Sequence, residues 1–288
     1  MRLILSRKGF DSSAGGCPNP IFPDGRLFAL PIPDDRSTIQ YKEIAFEDIP
    51  VGRLVHQLTK ARVKGHHGAH LDPDLLESAF ERQPGWRPLL GQTGSAQGHL
   101  QKQQVQQGDV FLFFGLFRPV ELFNRKWRFV PGAPSCHHLW GWLQIGEIKK
   151  VDSEDVQSSQ WLKYHPHLQV SGDEYNTLYI ADDKRRKSAA MNFSSGIFPT
   201  SDCKLTLTAA DSSKPSYWQL PSWFYPQDKP PLSYHHNLSR WDLKGGDCFL
   251  QGAARGQEFV LDLDFYPDAL PWLKDLIARY GRQNLLAT

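Results

Sequence analysis

The chain has 288 residues, 40% hydrophobic and 22% charged, with a formal net charge of +2 and an isoelectric point near 8.3. That length buries a sizeable core, as one domain over residues 1–288 or as two intimate subdomains, 1–105 and 106–288. No stretch approaches the ~20 apolar residues of a membrane span, and the mild positive charge lacks the lopsided basicity of a dedicated duplex-DNA binder.

Leu3-Ile4-Leu5 begins a first strand, and this apolar run is too short for the core of a signal peptide. A cytoplasmic protein is therefore expected. The strand runs into a polar, glycine-rich turn at residues 6–16. Residues 26–32 read as a second strand, stopped by Pro31 and Pro33. A helix is expected over residues 48–62, capped by Asp48, with Pro50 in its first turn. Val51, Leu54, Val55 and Leu58 recur at helical spacing and make its buried face. Gly65 ends it. A loop with His66, His67 and His70 follows, and Asp72-Pro73-Asp74 starts a short helix through Phe80. A helical piece is expected over residues 97–104. Gly108-Asp109 then turns into a continuous apolar run at 110–117, which reads as a fully buried strand. Residues 138–145 form a second such strand, with a strand and loop at 120–134 between them. A short helix at 154–162 precedes strands at 177–181, 204–208 and 258–265. The last alternates Phe259, Leu261, Leu263 and Phe265 against Asp262 and Asp264, which predicts a half-exposed strand. A closing helix spans 268–280. Strands outnumber helices without regular βαβ alternation, so the fold class is α+β, a mixed, strand-rich sheet core flanked by a few helices.

Four constellations carry chemistry. The first joins Ser6, Arg7, Lys8, Asp11 and Ser12 to Gly15 and Gly16, just past a strand. Successive amides in a glycine-rich turn make an anion nest, and Arg7 can grip phosphate oxygens in a fork. The same residues also suit a plain surface turn. The second is His70-Leu71-Asp72-Pro73-Asp74, whose imidazole and two carboxylates could bind a metal or share acid–base work. On an extended segment all three side chains would point to one side. Alternatively, Asp72 and Asp74 cap the following helix. The third runs from Gln92 to His99 and on to Arg118 at the end of the buried strand, with amides to read base edges and Arg118 to clamp a nucleotide. The fourth is Cys136-His137-His138-Leu139-Trp140-Gly141-Trp142. Trp140 and Trp142 alternate with Gly141, so both indoles are expected on one face, as a base-stacking platform or as core. Weaker signals are His165-Pro166-His167, His235-His236, Arg255-Gly256-Gln257-Glu258 and the basic run 184–187.

The exclusions narrow the field. Cys17, Cys136, Cys203 and Cys248 lie far apart with no Cys-x-x-Cys pair, which rules out a zinc ribbon and leaves four thiols, expected mostly buried. There is no Walker loop, nucleophile elbow, His-Glu-x-x-His, dinucleotide fingerprint, kinase signature or zinc-deaminase signature. No metal ion and no cofactor is assigned on the sequence alone.

The blocks Leu3 to Ser12 with Gly15-Gly16, Pro31-Ile32-Pro33, His70 to Leu75, Gly108 to Gly115, Trp140-Gly141-Trp142 and Arg255 to Phe259, in this order, resemble the family called nucleotide modification associated domain 3. The Gly-Asp turn, buried strand and Trp-Gly-Trp strand also look faintly like the small barrels of PUA and EVE-type domains. The family resemblance implies a bacterial or phage protein that acts on, or recognises, a nucleotide or DNA base, with nucleic acid and other members of a DNA-modification system as partners. In the enzyme reading, a transferase or hydrolase, Asp11, His70, Asp72, Asp74 and Glu258 supply acid–base or metal-ligand groups, and Arg7, Lys8, Arg118 and Arg255 neutralise phosphate. In the reader reading, Trp140 or Trp142 cages a modified base and the basic loops hold phosphate; His99 and Gln257 are further ligand-binding candidates. A third reading is a structural partner in a modification complex.

Overall fold

The apolar run at 110–117 takes the place where both faces of a strand are covered, the middle of the main sheet. A computed structural model describes residues 1–170, 172–182, 194–253 and 258–283. Strand Val110–Phe123 pairs parallel with Arg2–Arg7 on one side and antiparallel with Cys136–Lys150 on the other. Glu258–Asp262 adds antiparallel outside Arg2–Arg7, and Thr177–Ala181 then Leu89–Gln92 extend the other side. The sheet is thus mixed, and the fold is α+β.

Alternation along the strands sends successive side chains to opposite faces. Leu3, Leu5, Leu112 and Phe114 meet Trp218, Leu220 and Leu250 from the three-stranded sheet Tyr217–Pro221, Asp247–Gln251, Trp241–Lys244, together with Leu273 and Ile277 of the closing helix Ala269–Tyr280. Ile4, Phe111, Phe113 and Val260 point the other way, to Leu90, Leu100 and Tyr179. Leu89–Gln92 and Glu258–Asp262 are the two ends of the main path and do not pair through their backbones among the described residues. The Gln92 amide nevertheless reaches the Glu258 carboxylate. The two ends of the sheet are therefore bridged by side chains, with no barrel closure through backbone pairing among the described residues.

Several expectations are corrected. Residues 26–31 are not a strand: Pro31 has no N–H, and the Leu30 N–H goes to the side chain of Asn19 at 2.7 Å, leaving only isolated bridges at Arg26 and Leu27. The helix is shorter, Val51–Leu58, with the expected buried face; Asp48 does not cap it and instead pairs with Arg26 at 3.1 Å. Asp72 and Asp74 cap nothing, since only a single 3-10 turn, Glu77–Ala79, follows them. The piece expected at 97–104 starts earlier, as Gly94–Lys102. Residues 204–208 form a 3-10 turn, Cys203–Leu205, capped by Asp202, then single bridges at Thr206 and Thr208. The last long strand stops at Asp262, and its Glu258 and Val260 are as buried as Phe259 and Leu261, because a second layer covers each face. The thiols are only half buried as a set: Cys17 and Cys248 are, Cys203 is exposed.

The Trp pair is corrected too. A bulge between Leu139 and Gly141 inserts Trp140 as an extra residue. Trp140 consequently packs on Phe113 on one face, while Trp142 packs on Phe198 on the other. Both are buried. They form no shared platform.

Candidate functional site

The turn after the first strand, the short pairing of Ile32–Pro33 with Ala69–His70, the strand Leu89–Gln92 and the 3-10 turn Pro166–Gln169 meet around a cavity of about 360 Å3. Its size suits a small ligand. Arg7, Lys8 and Asp11 line it from the first block, and His70 and Asp72 from the second. Gln92 and Thr93 line it from the third, and Arg36, His167 and Asp173 complete the polar wall. Among the described residues, no Phe, Tyr or Trp lines it.

Asp72 is the hub. Its Oδ1 accepts the Gly91 N–H at 2.7 Å and stands 3.4 Å from His165 Nε2. Its Oδ2 stands 3.8 Å from His70 Nε2 and 3.7 Å from His167 Nε2. His70 Nδ1 is 2.9 Å from Asp34 Oδ2. His167 Nδ1 is 2.7 Å from Asn176 Oδ1. Ligand atoms of His70, Asp72 and His167 lie within 4.8 Å of one another. The close seat of His167 depends on Gly91, where a Cβ would fall 2.2 Å from the imidazole.

Charge follows from these neighbours. Burial works against ionisation of Asp72, but the His165 and His70 side chains outweigh it and hold the carboxyl well below the usual range. Burial also works against His70, yet Asp34 and Asp72 raise it to about 9. The hydrogen bond from His70 is the main reason Asp34 lies low. Burial lowers His167 to about 4, so that ring is neutral.

A second buried group adjoins the cavity. Glu258, 1% exposed, sits opposite Ser6 across the first strand pair and is bound by Lys8 Nζ at 3.0 Å and by Gln92. Among the described residues, its Oε2 and the Ser6 hydroxyl have no hydrogen-bond partner. Arg7 has no carboxylate within ion-pair distance among the described residues, whereas Arg36 pairs with Asp34 at 3.0 Å.

The sequence candidates therefore divide. Arg7, Lys8, Asp11, His70 and Asp72 share one cavity, with Glu258 and Ser6 directly behind Lys8. Asp11 is partly committed to its own turn: Oδ1 accepts Ser13 N–H at 2.7 Å, Ser13 Oγ at 2.7 Å and Ala14 N–H at 2.8 Å. Burial opposes its charge, but these bonds outweigh it and lower its pKa. Gly15 and Gly16 do not line the cavity; both have positive φ, and a Cβ on Gly15 would strike the Phe10 ring at 2.3 Å. Ser12 is exposed and off the wall. Asp74 does not share a side with His70 and Asp72. It is buried in its own cluster, 2.6 Å from Arg82, 3.2 Å from Trp86 Nε1 and 2.6 Å from Tyr164 Oη. His99 bonds Ser233 at 2.9 Å and stacks on Tyr234, away from the cavity. Arg118 bonds the Val130 carbonyl at 3.0 Å and lies over Phe129. Trp142 is core, and Trp140, though buried, lines a separate apolar pocket with Phe28 and Leu71. Arg255, Gln257 and the run 184–187 lie outside the described residues.

His167, Asp34 and Asn176 are the site residues that sequence reasoning missed or passed over. The available signal was a pair of ligand-type spacings, His70-x-Asp72 and His165-x-His167.

The fold and cavity define an α+β protein with a polar site built on carboxylates, imidazoles and guanidinium groups. The sequence profile of nucleotide modification associated domain 3 matches residues 2–262, and the chain belongs to that family. No curated protein and no solved structure matches it. The family description ties the chain to nucleotide modification. Among the described residues, no helix is long and apolar enough to cross a membrane.

Proposed function

We propose that the chain is an enzyme that alters a nucleotide, or one nucleotide unit of a DNA strand, held in this cavity. The observation that carries the reading is the placement of Arg7, which among the described residues has no carboxylate within ion-pair distance, on the same cavity as His70, Asp72 and His167. A guanidinium in that position binds phosphate, which leaves the base or sugar to face the imidazole–carboxylate cluster. Lys8 adds charge next to Arg7, with Glu258 holding it in position. The wall as a whole is charge-balanced, so recognition rests on placed groups rather than on a broad positive field. A non-catalytic reader of modified bases fits less well. Among the described residues no aromatic side chain lines this cavity, Trp142 is in the core, and Trp140 lines a separate apolar pocket with Phe28 that lacks Arg7 and Lys8.

Thermal unfolding with a panel of nucleotides and short DNA strands tests the reading. A ligand at about one hundred times its Kd stabilises by ~2.7 kcal/mol. Arg7→Met is expected to abolish that shift for phosphorylated ligands and to leave the unliganded midpoint nearly unchanged. Equal stabilisation of wild type and Arg7→Met, or no stabilisation by any nucleotide or DNA strand, would sink the proposal.

A further inference from the structure

The geometry points to a mononuclear metal centre in which His70 Nε2, Asp72 Oδ2 and His167 Nε2 hold one first-row divalent ion, with its remaining positions open to the cavity. The proton positions carry the argument. A carboxylate at ordinary hydrogen-bond distance only accepts, so the 2.9 Å contact from Asp34 puts the hydrogen of His70 on Nδ1. Asn176 Nδ2 donates to the His167 carbonyl at 2.8 Å, which fixes its Oδ1 toward His167 Nδ1. That oxygen only accepts, so His167 also carries its hydrogen on Nδ1. His167 is neutral and presents a lone pair at Nε2, and an ion displacing the Nε2 proton of His70 frees a second; both Nε2 atoms face the same carboxylate oxygen at 3.8 and 3.7 Å.

Three ligand-type atoms converge there, all within 4.8 Å of one another, and both imidazole nitrogens stand too far from the carboxylate oxygen for hydrogen bonds. Ligand atoms ~2.1 Å from a metal stand ~3.0–3.4 Å apart, so a shift of a few tenths of an ångström in each side chain closes the shell. The other carboxylate oxygen is occupied by the Gly91 N–H, which leaves Oδ2 for the ion. Each imidazole is backed by an acceptor on its far nitrogen, the arrangement that orients metal-bound histidines and raises their basicity. Two imidazoles and one carboxylate favour iron, cobalt or zinc over magnesium or calcium, which take oxygen ligands. The three ligands come from the His70–Asp72 segment and the Pro166–Gln169 turn, both of which line the cavity, so the open positions look into it. Such an ion would polarise a substrate oxygen or activate a water there. Only this last step rests on the preceding functional reading; the ion site stands on its own contacts.

The test is a titration of chelator-stripped full-length protein with Co(II), followed by calorimetry and by the visible absorption of the bound ion. One ion per chain is expected, with a rise in thermal midpoint that EDTA reverses. Asp72→Asn should abolish binding. Asp34→Asn, which leaves all three ligands in place, should weaken it tenfold to a hundredfold. If Asp72→Asn does not fold, the wild-type stoichiometry and Asp34→Asn decide. Failure to bind Co(II) at millimolar concentration, or equal affinity in wild type and Asp34→Asn, overturns the assignment. Nucleotide stabilisation measured in EDTA separates the two claims: ligand binding without metal binding refutes the ion alone, and metal binding without any nucleotide effect refutes the functional reading alone.

Discussion

Gly91→Ala tests the site without touching any proposed ligand. Gly91 is in the strand Leu89–Gln92, and a Cβ built on it would lie 2.2 Å from His167 Cδ2 and 2.5 Å from its Nε2. Ordinary contact begins near 3.4 Å, so the ring must retreat by about an ångström. Metal–ligand bonds tolerate only ~0.2 Å of error, which the retreat exceeds several times over. Overpacking of this kind costs about 1–3 kcal/mol, a loss that a folded domain survives. Gly91→Ala should therefore remain folded, with a lower urea midpoint, and bind Co(II) at least a hundredfold more weakly. Circular dichroism and urea unfolding read the first outcome, and calorimetric titration the second. A folded Gly91→Ala protein with wild-type Co(II) affinity would show that His167 is not a ligand.

Other expectations follow from the surroundings of the site. Lys8→Met leaves the buried Glu258 carboxylate without its cation and should cost about 3–5 kcal/mol, much of it restored by adding Glu258→Gln; a double variant no more stable than the single in urea unfolding would contradict the pairing. Asp74→Ala should destabilise by a similar amount, because it strands Arg82 beside Trp86 and Tyr164, and a loss of function with full stability would return Asp74 to the active site. Trp142→Ala should cost about 3–5 kcal/mol as a core truncation; unchanged stability together with lost nucleotide binding would revive the stacking platform. Burial holds His137, His138 and His235 at about 4. Unfolded imidazoles titrate near ~6.5, so between those values the unfolded chain binds protons that the native chain does not. The contribution of these rings is full above about pH 6.5 and is lost as pH falls toward 4. Urea midpoints that stay flat from about pH 7 down to about pH 5 would contradict this.

The fold was legible where local pattern and tertiary environment agree. The unbroken apolar run at 110–117 had to be covered on both faces, and Leu54, Val55 and Leu58 had to share one helix face. Legibility failed where a single residue changes the phase. Trp140 and Trp142 look like neighbours on one face until the bulge at Leu139/Gly141 turns one of them over, and no residue type announces that bulge. Asp74 follows Asp72 at strand spacing, yet a bridge to Leu89 turns it toward Arg82. Half of the site was visible as blocks of unusual polarity, Arg7-Lys8 and His70-x-Asp72. Of the other half, His167 showed only as the weak spacing His165-x-His167, and Asp34 and Asn176 have no local signature, because their roles arise only when distant segments such as the 3-10 turn Pro166–Gln169 and the strand Leu89–Gln92 are brought together.

That turn carries a consequence for exchange with solvent. His165 and His167 are almost fully buried, yet the segment holding them belongs to no strand of the main sheet and is pinned by the Asp72 carboxylate, Asn176 and the space left at Gly91. A wall attached in this way can open locally while the sheet stays closed. Opening would carry His167 away from the two ligands on the other side, so ion occupancy and closure of the wall are reciprocally linked: whatever tightens one tightens the other by the same factor. Amide exchange at Leu168 and Gln169 should then slow on ion binding, while exchange at Phe111 and Leu112, in the middle of the sheet, should not change.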